Sequence, residues 1–194
     1  MTVTTRVQPA PTGAPVIAQQ STRRIVLLFR HGKSDWNAAF DHDRDRPLAP
    51  RGERAARRMG RFLAAVGPQP EIALASPARR AFDTLEIAAE AGRWHSALRA
   101  EERIYAEGPD PLLAALREQP DAAAAVLLAG HEPSISEVLT VLTGGIAVRF
   151  PTAAMARIDL PAGLWSELAG GTGELRWLVT PKLLERAARE PPAG

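Results

Sequence analysis

The sequence predicts an α/β fold, a three-layer sandwich in which helices flank a mainly parallel central sheet. Two observations carry this expectation. From Arg24 onward, short aliphatic runs alternate with segments of helical periodicity. The runs at residues 25–29 and 125–129 are apolar at every position, as strands buried on both faces by crossover helices are.

The elements follow in order. Residues 1–23 carry Pro9, Pro11 and Pro15 among Thr, Gln and Ala, without apolar periodicity, and are expected to form a disordered tail. Residues 24–190 are expected to form a single domain, for which a chain of 194 residues with 45% apolar content has enough material. The strand at 25–29 comes first. The next segment, 51–66, places Ala55, Met59, Phe62, Leu63 and Val66 on one helical face and turns Arg54, Arg57, Arg58 and Arg61 outward. A second strand at 71–75 runs into Ser76-Pro77, which reads as an N-cap with proline at the first helical position, opening a helix to about Ala91. Asp110-Pro111 repeats that signal before 112–117, and Thr180-Pro181 repeats it before a last helix ending near Arg189. Between them, 125–129 is the third strand, and Ser134 with Glu137 forms a capping-box pattern before Val138, Leu139 and Leu142. Later strands are expected at 154–160 and 175–179.

Composition narrows the function. There is no cysteine, so thiolate zinc sites, thiolate iron–sulfur clusters and cysteine nucleophiles are absent. A net charge of only +2 argues against a nucleic-acid partner, and the apolar runs are too short to cross a bilayer. With prolines opposing an amphipathic leader and no secretory apolar region, a cytoplasmic location is expected.

The chemistry gathers at strand ends. The first strand ends in Arg30-His31-Gly32-Lys33-Ser34-Asp35-Trp36, the third in Gly130-His131-Glu132-Pro133, and the second in Ser76-Pro77-Ala78-Arg79-Arg80. Ligands of open α/β sheets bind beyond the carboxyl ends of the strands, so these segments are expected to converge. Two histidines and at least two arginines around one anion suggest phosphoryl transfer through a histidine. An unprotonated imidazole nitrogen attacks phosphorus, guanidinium groups bind the equatorial oxygens, and water later releases the phosphate. A metal hydrolase built on the same histidines is disfavoured, because the flanking arginines repel a cation. On the residues alone, Arg79 and Arg80 are both candidate phosphate ligands.

Arg30-His31-Gly32 resembles the RHG signature of the histidine phosphatase superfamily. The Arg-His-Gly-Lys-Ser-Asp-Trp stretch, Asp45-Arg46-Pro47-Leu48 through Arg51-Gly52, and Leu175-Arg176-Trp177 with Pro181-Lys182-Leu183-Leu184 are similar to the short SixA-like phosphohistidine phosphatases. The resemblance implies a phosphoglycerate-mutase-like fold with little or no lid insertion, and hydrolysis of a phosphorylated substrate, protein phosphohistidine foremost. It implies His31 as the phosphorylated nucleophile, Arg30 and Arg80 as phosphate ligands, His131 as the second histidine and Gly32 as backbone room beside the phosphate. No cofactor or metal is implied.

The remaining residues are weighed against ordinary structural roles. Larger members of the superfamily carry an acidic residue on an insertion. Here only residues 94–109 are available, and Glu102 is the first candidate acid, with Glu107 and Asp110 behind it. Glu132 stands where these phosphatases often have asparagine, as a carboxylate that either repels anionic substrates or orients His131. Lys33 and Ser34 are candidate phosphate contacts. Residues 41–46 read as a solvated loop of mixed charge, with Arg46 as its one candidate pocket residue. His42 and His95 are expected at the surface, and Trp36, Trp94, Trp165 and Trp177 in packing roles. The expected partner is a phosphorylated protein or small phosphorylated substrate, neither nucleic acid nor membrane, acted on by a monomer. The alternatives are a small-molecule phosphomonoesterase and a non-catalytic phosphate- or phosphoprotein-binding module. A mutase is disfavoured for want of a long insertion to shield the phosphoenzyme.

Overall fold

The computed structural model describes residues 23–189, so the expected tail falls outside the described residues except for Arg23, which already belongs to the first strand. Six strands form one mixed sheet in the order β3-β2-β4-β1-β5-β6. They are β1 (Arg23–Arg30), β2 (Ile72–Ala75), β3 (Ala97–Ala100), β4 (Ala125–Gly130), β5 (Met155–Ala162) and β6 (Glu174–Val179). The first four are mutually parallel, and β5 and β6 complete the sheet with antiparallel pairings. Helices α1 (Pro50–Val66), α2 (Arg79–Gly92), α3 (Asp110–Arg117), α4 (Ser134–Thr143) and α5 (Pro181–Ala187) cover it. No described helix is long and apolar enough to cross a membrane.

The continuous apolar run of β1 has a direct explanation in two cores. Alternate side chains leave a strand on opposite faces. Val26 and Leu28 therefore join Leu112 and Leu116 of α3 and Val138, Leu139 and Leu142 of α4 on one side. Leu27 and Phe29 join Met59 and Leu63 of α1 and Leu85 and Ala88 of α2 on the other. Burial of these residues, about 1.5–3 kcal/mol for each side chain larger than alanine relative to exposure, holds the three layers together. Helices α1 and α2 meet closely: a Cβ on Gly60 would lie 2.0 Å from the Ala88 carbonyl oxygen.

Several local expectations need correction. Helix α2 starts at Arg79 with Ala78 at its N-cap, so Ser76 is not the N-cap; its hydroxyl accepts from the Ala78 N–H at 3.2 Å, one residue before the helix begins. Ser134 and Glu137 form no capping box; Ser134 Oγ instead accepts from the Gly108 N–H at 3.1 Å. Asp110 likewise lies inside its helix, with Pro109 at the N-cap and no side-chain cap bond; the signal at Thr180 holds, since Thr180 Oγ1 accepts from the Leu183 N–H at 3.2 Å. Val66 is exposed rather than inward. Strand β3 was not foreseen, because Ala-Leu-Arg-Ala at a sheet edge has neither alternation nor burial to announce it.

Candidate active site

Register brings the three motifs to one edge. Arg30 pairs with Gly130 and Ala75 with Ala129, so β1, β2 and β4 end level with one another. Backbone bonds continue past the ends: the His31 N–H donates to Gly130 O and the Ser76 N–H to Ala129 O, each at 2.9 Å. The loop after β1 is pinned to the helices by small residues. The Gly32 N–H donates to Thr84 Oγ1 at 2.9 Å, and a Cβ on Gly52 would stand 2.2 Å from the Lys33 carbonyl oxygen.

His31 and His131 meet with ring centroids 5.0 Å apart. Nδ1 of His31 lies 2.7 Å from Gly32 O. A carbonyl only accepts, so Nδ1 carries the proton and Nε2 of the neutral ring keeps its lone pair. Burial, reinforced by His131, Arg80 and Arg30, holds the His31 pKa at about 3. Burial together with Arg80 lowers that of His131 to about 4, and its Nε2 is 2.8 Å from Ser76 Oγ. Both rings are therefore neutral near pH 7, and Nε2 of His31 has its lone pair available.

Three guanidinium groups surround the pair in a cavity of about 360 Å³, lined also by Tyr105, Glu107 and Glu132. Arg30 donates to Phe150 O at 2.7 Å and leaves its buried Nε without a partner. Arg80 is buried, donates to Asp43 O and pairs with Asp43 Oδ2 at 2.9 Å; its buried Nε is likewise unpartnered. Arg46 pairs with Asp43 Oδ1 at 2.8 Å, bonds Ser34 Oγ and lies 3.7 Å beneath the Trp36 ring. Partial burial of Asp43 acts to raise its pKa, but Arg46 and Arg80 outweigh it and hold the carboxyl below its ordinary range.

The sequence-predicted residues Arg30, His31, Gly32, Ser34, Arg80 and His131 thus come together. Arg79 does not join them; it is mostly exposed and faces Asp83. Glu102 is exposed and paired with Arg44 at 2.7 Å, and it does not line the cavity, whereas Glu107 does. Glu132 lines the cavity but bonds Ser136 Oγ at 2.8 Å rather than His131. Burial raises its pKa against the pull of Ser136 and Arg30. Arg46 is buried within the loop that reads as solvated, and Trp36, 63% exposed, packs on no core.

Asp43, Ser76 and Tyr105 were missed. Tyr105 sits edge-on to His131 at 5.7 Å. An acid three residues before an arginine beside an anionic-site motif was the available signal for Asp43. Ser76 was hidden by a plausible capping role.

Comparison with known proteins agrees with this geometry. Residues 26–107 match the model of the histidine phosphatase superfamily (branch 1). An uncharacterised protein of Mycobacterium leprae is 36% identical over 163 residues, 76% of this chain and 96% of that one. Among solved structures, SixA from Nakamurella multipartitia superposes with a TM-score of 0.70 at 28% identity, covering 82% of this chain and 96% of that one. The protein histidine phosphatase SixA in complex with tungstate gives 0.69 at 27% identity, covering 82% and 99%. By its site, its fold and these likenesses, the chain belongs to the histidine phosphatase superfamily and is SixA-like.

Proposed function

We propose that a single domain spanning about residues 24–190 hydrolyses phosphohistidine on a partner protein through a phospho-His31 intermediate, without a metal ion. The tautomer of His31, with a bare Nε2 in a cavity shared with His131 and three arginines, is the observation that carries this reading. In the first step, the Nε2 lone pair forms a bond to phosphorus as the phosphorus–nitrogen bond of the substrate breaks. That electron pair returns to the substrate imidazole, whose other ring nitrogen already carries a proton taken up from solvent, so the group leaves as neutral imidazole. Phosphorylation makes the His31 ring cationic, and the Nδ1–H bond to Gly32 O stabilises that charge. In the second step, water attacks phosphorus, the Nε2–phosphorus bond breaks, and a water proton passes to solvent as phosphate forms.

Arg30, Arg80 and His131 are assigned to the equatorial oxygens, where fixed donors stabilise developing charge. The same guanidinium groups supply the positive charge that a metal supplies elsewhere. Gly32 gives the phosphate backbone room, and Ser34 reaches it through Arg46. An imidazole leaving group needs no dedicated acid, which fits a Glu102 directed toward Arg44. Between α2 and α3 lie only β3 and one short 3₁₀ turn at Glu102–Tyr105, so the pocket mouth suits a protein surface.

Trapping with radiolabelled phosphohistidine protein, followed by mapping, tests this reading. We expect an acid-labile phosphate on His31 and a loss of kcat on the order of 10⁴-fold in His31→Ala. Arg30→Ala and Arg80→Ala are each expected to lose about 2–4 kcal/mol in kcat/KM. Phosphate binding without turnover would support a binding module. Preference for small phosphomonoesters over phosphohistidine protein would redirect the substrate.

A further inference from the structure

A second concavity opens on the same sheet edge, beyond the nucleophile. This groove, about 730 Å³, is lined by Lys33, Arg51, Arg58, Thr152, Lys182 and Glu185 among others. It is continuous with the catalytic cavity: Lys33 and Thr152 also line the cleft that contains Arg30, His31 and Arg46. The four cations come from three separate parts of the chain, the loop after β1, helix α1 and the start of α5. None of them pairs with a carboxylate among the described residues. The one acid in the groove, Glu185, is held by Arg189 at 3.0 Å. Among the described residues, exposed arginines outside the groove, Arg54, Arg61, Arg93, Arg99, Arg117 and Arg149, also lack an acid partner, but the groove alone gathers four such cations in a concavity that adjoins His31.

A row of uncompensated cations leading to a phosphoryl site attracts negative charge along its whole length. We propose that this groove docks an acidic polypeptide segment of the protein substrate, next to the phosphorylated side chain held at His31. The proposal rests on the reading of the site as a protein phosphatase. Protein is favoured over nucleic acid because the chain carries a net charge of only +2, so the positive field is local rather than general.

The test uses a short extended Glu/Asp-rich peptide without phosphate, the full chain, and the variant Arg51→Glu, Arg58→Glu, Lys182→Glu. We expect the peptide to bind the wild type, to weaken on the order of tenfold in the variant and to weaken with added salt. Turnover of a small phosphoramidate is expected to keep its kcat and KM, which also verifies folding. The control Arg54→Glu, Arg61→Glu changes exposed α1 residues outside the groove and is expected to leave peptide binding unaltered. No binding to the wild type, equal binding to both variants, or equally tight binding of single-stranded oligothymidylate would overturn the proposal, as would impaired phosphoramidate turnover. Peptide binding through the groove with phosphohistidine protein left untouched would keep the groove and remove the substrate assignment alone.

Discussion

Asp43 sets the position of two of the three guanidinium groups in the pocket, holding Arg46 with one carboxylate oxygen and Arg80 with the other. Its own side chain is about half exposed, so its value lies in aim more than in Coulomb energy. A displacement of about 1 Å at a charge-stabilising group can cost roughly 100-fold in rate. Asp43→Ala is therefore expected to lower kcat/KM by about 10–100-fold with little change in thermal midpoint. Asp43→Asn, which keeps a carbonyl acceptor, is expected to recover part of the loss. Glu102→Gln is expected to stay within about threefold of wild type, since Glu102 only meets Arg44 in solvent. Equal losses in Glu102→Gln and Asp43→Ala would reverse these assignments. His31 and His131 were readable because strand-end motifs announce them one at a time. Asp43 offers only the weak local signal of its spacing to Arg46, since its second partner, Arg80, is remote in sequence, and Ser76 acts through the equally remote His131.

The elements show the same division. Strands β1 and β4 and helix α1 were legible because burial on both faces, or on one helical face, writes a period into the sequence. The start of α2 was not, and α4 begins at Ser134 as expected but without the capping box. Ser-Pro satisfies the capping rule, yet the chain uses Ser76 Oγ to bond His131 and begins the helix at Arg79. Loop placement depends on a contact that composition hides: Gly52, in the first turn of α1, lies against the backbone at Lys33, whose carbonyl also accepts from the Ala49 N–H at 2.8 Å. Replacing a helical glycine with alanine ordinarily gains up to about 1 kcal/mol. Here a Cβ would lie 2.2 Å from a backbone oxygen that cannot rotate away, and overpacking costs typically 1–3 kcal/mol. Gly52→Ala is thus expected to destabilise the fold by about 2 kcal/mol in urea unfolding and to lower kcat by moving the loop that carries His31. A stabilised variant with normal kcat would show that the loop yields freely.

For the molecule as a whole, the site is a load carried by the two cores on either side of the sheet. Three arginines and two neutral histidines share one edge, and folding keeps both rings from ionising. The unfolded rings titrate near 6.5, whereas in the fold the values are about 3 for His31 and about 4 for His131. Between these limits the unfolded chain binds more protons than the folded one, so stability rises with pH and falls on acidification from about 6.5 toward 4. The lowered Asp43 carboxyl acts in the same direction, but only below the ordinary carboxylate range. The variant His31→Asn, His131→Asn is expected to remove most of the slope between pH 6.5 and 4. An anion held by the arginines should offset the cost directly. At 100 times its dissociation constant it adds about 2.7 kcal/mol to the unfolding free energy. Tungstate is therefore expected to raise the thermal midpoint of the wild type but not of Arg30→Ala, Arg80→Ala. A wild type whose stability is flat over that pH interval and indifferent to tungstate would mean that these five side chains do not act as one anion site.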